Sequence, residues 1–304
     1  MQFLVYILVY PLIWLISILP FRLLYAFSDG LYIIIYKLMG YRKKVVQDNL
    51  RLVFPEKPQA EIDTITEKFY HHFCDMMVEA IKSITISEKS MKERFKFTNV
   101  ELINDLEKQN RSIVLMCGHY GSWEWIFILQ KYVSHKGYAV YSRLGNKYFD
   151  RLVKRIRAKY DSTLITTKET VPTLTQTKKN GELTINGFVS DQTPRVARAF
   201  HWNEFMGIKV PIHTGAEMLA KRLDMSVVFF RVKRLKRGYY ETTFETLAVD
   251  PNNYPNYEIT DIFTKKVEQQ IYEAPQYYLW THRRWKHRNS VPEAFKQSVS
   301  AQRY

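Results

Sequence analysis

Hydrophobic positions fall along this chain in three successive patterns. The first is an unbroken apolar run: Phe3 to Leu19 reads FLVYILVYPLIWLISIL, and no residue from Met1 to Phe21 carries a charge. That is close to the roughly 20 apolar residues needed to cross a bilayer, and it predicts an amino-terminal membrane-anchor helix kinked at Pro11. No Lys or Arg precedes the run and Pro20, Phe21 and Arg22 follow it directly, which fits an anchor better than a cleaved signal peptide. A buried core helix is the bland alternative. A second patch, Leu31 to Tyr41, is too short to span alone and predicts a segment lying in the membrane interface or packing on the rest of the chain. Residues 1–41 therefore form the expected anchor and interfacial unit, and residues 42–304 the expected catalytic-size α/β domain.

The second pattern is helical. Between Lys44 and Ser87 apolar residues recur at steps of three and four, as in Ile62, Ile65, Phe69 and Phe73, with a break at Phe54-Pro55-Glu56-Lys57-Pro58. The third begins at Arg111, where short apolar runs (SIVLMCG, YAVYS, LITT, LTINGFVS) alternate with amphipathic stretches (WEWIFILQKYV, KYFDRLVKRIRAKY, VPTLTQTKK). That alternation predicts βαβ units: an α/β fold with a mainly parallel central sheet flanked by helices. MSVVFFRV and YYETTFETL add candidate strands, and Ile259 to Tyr272 a closing helix. Reactive residues then belong in loops at the carboxyl ends of strands.

Charge changes the picture in one respect. Lys and Arg number 45 against 30 Asp and Glu, a net charge of +15 over 304 residues, yet only Arg22, Asp29 and Lys37 are charged within the first 41. The greasy part and the basic part are separate, and Arg42, Lys43 and Lys44 place their junction on the cytoplasmic side of a membrane. Apolar content of 46% excludes a disordered chain. Aromatic content of 15% suits a membrane interface or an apolar groove. Cys74 and Cys117 are too few for a disulfide framework and too far apart in sequence for a zinc knuckle. A non-enzymatic, membrane-tethered protein binding nucleic acid or anionic lipid would explain the charge, but no nucleic-acid motif accompanies it.

The strongest chemical candidate follows the first strand, in Gly118-His119-Tyr120-Gly121-Ser122-Trp123-Glu124. Of the 8 His, only His119 has an acid five positions on. With a helix starting near Ser122, Glu124 could fold back to hold one imidazole nitrogen while the other faces a substrate hydroxyl, a base with its orienter. The alternative is a structural His with Glu124 as a favourable helix-start charge. Cys117 shares a strand face with His119, which makes a thiolate nucleophile a second use of the segment; Ser122 lacks the Gly-x-Ser-x-Gly elbow. Arg143 suits a phosphate or head group, or a fold carboxylate. Asp191 could orient an acceptor or Arg143, or cap a turn.

These motifs, in order, resemble the lysophospholipid acyltransferase superfamily, in the branch of late acyltransferases that complete bacterial lipid A. The Gly118 to Glu124 stretch resembles its first motif, Arg143 with Asn146 and Asp150 its second, Asp191-Gln192-Thr193-Pro194 and Phe205-Met206-Gly207 its third and fourth. Pro275-Gln276-Tyr277-Tyr278-Leu279-Trp280-Thr281-His282-Arg283-Arg284-Trp285-Lys286 resembles its carboxyl-terminal signature, and Arg42, Asn49-Leu50 and Phe54-Pro55-Glu56 its opening. The Pro-Glu-Gly-Thr block of glycerolipid acyltransferases is absent, with Asp191-Gln192 in its place.

The resemblance implies transfer of a fatty acyl chain from acyl carrier protein to a hydroxyl of a phosphorylated glycolipid, a lipid A precursor, at the cytoplasmic face of a bacterial inner membrane, or to another bacterial lipid such as a lysophospholipid or aminolipid. It implies His119 and Glu124 as catalytic residues, and neither cofactor nor metal. Arg143, Asn146, Asp191, Gln192, Arg283 and Arg284 are the implied substrate contacts, with membrane lipids as further partners and no nucleic acid.

Overall fold

The computed structural model describes residues 1–296. The amino-terminal third is helical: α1 (Gln2–Ile18), α2 (Phe21–Tyr32) running into a π-helical turn (Ile33–Leu38), α3 (Lys43–Val53), α4 (Gln59–Lys82) and α5 (Glu88–Arg94). Then come β1 (Phe95–Phe97), α6 (Glu101–Lys108), β2 (Ile113–Cys117), a 3-10 segment (Trp123–Lys131), β3 (Lys136–Tyr141), α7 (Lys147–Arg157), β4 (Thr163–Thr166), α8 (Thr167–Lys179) and β5 (Thr184–Val189). A small hairpin of β6 (His201–Phe205) and β7 (Ile208–Ile212) precedes α9 (Gly215–Leu223), β8 (Ser226–Lys236), β9 (Tyr239–Ala248) and α10 (Glu258–Glu273).

Among the described residues seven strands form one sheet in the order β1-β9-β8-β2-β5-β3-β4. All neighbours run parallel except the β8–β9 pair, which matches the expected mainly parallel α/β arrangement. β2 is buried along its whole length, as a continuous apolar run in a parallel sheet covered on both faces should be. Its alternation divides the interior. Val114 and Met116 face a core shared with α3, α4, α9 and α10. Ile113, Leu115 and Cys117 face one built with Met91, Ile103 and Leu106 of α5 and α6 and with Trp125 and Ile128.

The structure does not bear out a single spanning anchor helix. Among the described residues no single helix is long and apolar enough to cross a membrane. Leu19 precedes Pro20 and is extended (φ −54°, ψ 138°), so α1 stops at Ile18 after 17 residues, as the steric demand of a following proline requires. α1 instead lies along the body. Lys82 Nζ donates to the carbonyls of Ser17 (2.8 Å) and Leu19 (2.7 Å) at one end. At the other, Gln2 Nε2 donates to Gly145 O and Asn146 Nδ2 to Gln2 O, both at 3.1 Å. Its outward residues Leu4, Leu8, Leu12 and Leu15 remain exposed, a contiguous apolar surface of the kind that meets lipid or protein.

Candidate active site

β2 and β5 are parallel neighbours whose last residues, Cys117 and Val189, pair across the ladder, and Ser190 N donates to Cys117 O at 3.1 Å just beyond. Two residues past each strand end stand His119 and Asp191. The register of two parallel strands thus delivers an imidazole and a carboxylate to the same point, at the carboxyl edge where α/β proteins place ligands. His119 Nδ1 lies 2.6 Å from Asp191 Oδ1. Since a carboxylate only accepts, Nδ1 carries a proton toward Asp191, which in the neutral imidazole leaves the lone pair on Nε2. The Asp191 side chain is 1% exposed and that of His119 18%. Burial opposes the Asp191 charge, but the facing His119 charge and hydrogen bonds win, and they hold this carboxyl below its ordinary range.

The loop is held from behind by the carboxyl-terminal segment. Leu279 N donates to His119 O (3.1 Å) and Gly121 N to Tyr277 O (3.0 Å). Gly121 sits at φ +59°, and a Cβ there would meet Val232 at 2.9 Å, so only glycine fits. Ser122 does not cap a helix, and the segment after it is 3-10. Its hydroxyl donates to Glu79 Oε2 (3.0 Å). This different turn takes Glu124 away from the imidazole: its carboxylate pairs with Arg157, with Nε to Oε2 at 2.8 Å. The orienting partner expected at Glu124 is therefore found at Asp191.

The other expected contacts separate. Gln192 Nε2 lies 3.1 Å from His119 Nε2, on the side a reacting hydroxyl would take. Arg143 is exposed and pairs with Glu169 at 3.2 Å, beside Ser142 and Leu144 of the cavity wall. Asn146 caps α7, accepting from Tyr148 N at 2.9 Å, with its amide on Gln2, so it serves the fold. Arg283 is exposed. Arg284 is 1% exposed, donates to Pro211 O at 3.1 Å and lies 4.9 Å from the centre of the Phe205 ring, which itself stacks on Trp285; it is core. Cys117 is buried and its thiol is pushed well above the ordinary value by burial, then by Asp191 and Glu124, which disfavours a thiolate nucleophile.

His119 and Gln192 line a cavity of about 730 Å³, within the usual range for ligand sites. Leu115, Gly187 and Ala139 stand abreast on neighbouring strands and line it together with Ile126 and Phe127. The sequence model described as Bacterial lipid A biosynthesis acyltransferase matches residues 1–287. The chain belongs to that family. It is an acyltransferase, and in sequence it is similar to the lipid A biosynthesis lauroyltransferase of Escherichia coli (strain K12), 25% identical over 288 residues covering 93% of this chain and 92% of the relative.

Three residues of this lipid A acyltransferase family member escaped the sequence pattern. Arg157 is one of several bases on an amphipathic helix, with nothing to single it out. His282 accepts from Thr193 N (3.4 Å), and burial, then Arg284, His119 and Lys286, hold it at about 4 against the pull of Asp191, so it is a neutral acceptor that braces the Asp191 loop. Glu79 is fully buried on α4 and takes hydroxyl donors from Tyr25 (2.9 Å), Tyr240 (2.9 Å) and Ser122. A signal existed: His72, Asp75 and Glu79 interrupt the core-facing positions of an otherwise apolar helical stripe.

Proposed function

We propose that this acyltransferase moves a fatty acyl chain from an acyl carrier protein thioester to a hydroxyl of a lipid A precursor at the cytoplasmic face of the bacterial inner membrane. The observation that supports it most is the His119–Asp191 pair beside a cavity that His119 lines and that is walled mostly by apolar residues. The acceptor hydroxyl displaces the Gln192 amide from Nε2 and gives that nitrogen its proton as its oxygen attacks the thioester carbonyl. Asp191 steadies the imidazolium that results. The tetrahedral intermediate then collapses, the carbon–sulfur bond breaks, and the leaving thiolate takes the proton back from His119, so ester and thiol form in balance. General-base help of this kind supplies roughly 10²–10⁴-fold; placement of both chains must supply the remainder.

The small residues Gly187 and Ala139 leave room along an apolar wall for a hydrocarbon chain, and the relative's name makes a lauroyl donor the first to try. α1 and the exposed residues of the π-helical turn, Ile33, Ile34 and Leu38, form the lipid-facing surface, lying in the interface with the basic residues after Tyr41 toward the head groups. The test is a mass-spectrometric assay with purified protein, lauroyl carrier thioester and a phosphorylated lipid A precursor, run beside a lysophospholipid acceptor. One lauroyl ester gained by the precursor is the expected result. Transfer to the lysophospholipid alone would reassign the acceptor, and no transfer to either would overturn the reading.

A further inference from the structure

A second cavity, of about 280 Å³, lies on the other side of the Glu124–Arg157 pair. Two helical stripes wall it: Met76, Met77 and Ala80 from α4, Val153 and Ile156 from α7, each set at the steps of three and four that share one helix face. The pair itself, with Trp123, Phe127 and Val153, is common to both cavities and forms the partition between them. Trp123 also touches the His119 ring edge, centre to centre 5.1 Å, so the partition is one side chain away from the reacting nitrogen.

The position of this cavity argues for its occupant. Met77 and Ala80 line it and are exposed, so it reaches the surface along α4. α1 is fastened to the end of α4 through Lys82 and to the start of α7 through Asn146 and the Tyr6–Tyr148 ring contact at 5.6 Å. The helix with the lipid-facing surface therefore joins the same two helices that wall the cavity. Beyond the partition its polar lining is Ser83, Ser122, whose hydroxyl is engaged by Glu79, and the Tyr160 hydroxyl, which leaves no charge to recognise a head group there, and its volume sits near the roughly 300 Å³ lower bound of ligand pockets. A single hydrocarbon segment matches that chemistry.

We propose that this second cavity takes one hydrocarbon chain of the acceptor lipid, admitted from the membrane between α4 and α7, while the cavity over Gly187 takes the donor chain. This rests on the acyltransferase reading above. The donor chain arrives on a carrier from water, whereas the acceptor's chains are already in the bilayer beside α1; two chains that approach from opposite phases need two slots. The Glu124–Arg157 pair keeps them apart, a role for Glu124 that does not require it to touch the imidazole.

The test has two arms. A lipid A precursor bearing a diazirine on one hydrocarbon chain, incorporated in detergent micelles with the full chain, is photolysed and the adducts are mapped by mass spectrometry. Adducts within residues 73–83 and 153–160 are expected; adducts confined to strand residues 136–141 and 184–189 overturn the assignment. In the second arm Ala80→Phe fills the cavity from an exposed helix position. The KM for the full precursor should rise at least about tenfold, the equivalent of roughly two methylenes losing their burial. The donor KM should stay within about twofold, and the difference from the native protein should vanish for a precursor lacking that chain. An unchanged acceptor KM, or a rise in the donor KM instead, would overturn the proposal. Adducts at 73–83 without any acyl transfer by the native protein would sink the reaction and leave the cavity's ligand standing.

Discussion

Two His–Asp pairs stand in this molecule at nearly the same distance, His119 with Asp191 at 2.6 Å and His201 with Asp261 at 2.7 Å. The first joins the ends of two parallel strands; the second ties the β6–β7 hairpin to α10. Asp191 is 1% exposed and Asp261 29%. The second imidazole is stacked on Tyr257, ring centres 4.7 Å apart, and lines neither cavity, whereas His119 faces a volume able to hold a substrate. The hydrogen bond alone does not make a base. What differs is the dielectric around the carboxylate and the space in front of the opposite nitrogen.

The largest effect expected from this contrast is at the imidazoles. His119→Ala should lower kcat by roughly 10²–10⁴-fold, the worth of a positioned general base, measured on the fraction that stays folded, since the buried Asp191 also loses its partner. His201→Ala should keep its turnover within about twofold and instead loosen the hairpin. Steady-state acyl transfer and a melting curve on each variant decide it, and equal activity losses in the two would end the distinction. Next comes the carboxylate. On the proposed mechanism Asp191→Asn keeps a hydrogen-bonding side chain but removes the charge that would stabilise an imidazolium, and it can drive the proton to the wrong nitrogen. A loss of about 10²-fold is expected, toward the low end of general-base contributions, while Asp261→Asn should again stay near the native rate. The native pair also stabilises the fold: since the Asp191 pKa lies below its ordinary value, its contribution is complete above the unfolded carboxyl pKa and is lost as pH falls through the lower folded value.

The same contrast explains what could be read from the chain beforehand. Strands β2 to β5, β8 and β9 and their mainly parallel arrangement were legible, because buried parallel strands are continuous apolar runs, and the loop after β2 carries His119. The partner of His119 was not. Periodicity finds strands but not their neighbours, and Asp191 reaches the ring only because β5, 72 residues on, lies against β2 in a register that aligns Cys117 with Val189. Glu124 was the natural choice by spacing, and an α-turn from Ser122 would have favoured it. The left-handed Gly121 and the 3-10 geometry that follows turn it toward Arg157 instead. Arg284 misled for a related reason: a guanidinium in a basic, aromatic stretch reads as exposed until it is seen buried against the Phe205 ring and the Pro211 carbonyl.

Behind the loop, Glu79 supplies a third and smaller test. It is pushed up to about 7 by burial first and then by Asp75, against the hydrogen bonds from Tyr25 and Tyr240. An acid raised in the folded state holds its proton longer there than in the unfolded chain, so it withdraws stability as pH rises from about 4.5 to about 7 and no more above that. Glu79→Gln should abolish that part of the decline, seen as a flatter dependence of Tm on pH across this window. It also deprives Ser122 of a charged acceptor, and kcat should fall about fivefold, as for one weakened buried hydrogen bond, with KM for both substrates unchanged. A Tm profile parallel to the native one would show that Glu79 does not titrate there.

The mouth of the cavity should respond least. Arg143 is 64% exposed and its partner Glu169 49%, so water and salt screen whatever it attracts, and pairs of this kind contribute little. If it meets an acceptor phosphate, Arg143→Ala raises the acceptor KM by less than about fivefold at low salt, leaves kcat alone, and the difference shrinks at high ionic strength. Arg143→Lys should recover part of the loss, because a point charge attracts phosphate without the fork. A fall in kcat in the alanine variant would place Arg143 inside the reacting geometry and move the boundary between floor and mouth, since only a group that acts in the transition state changes turnover without changing ground-state binding.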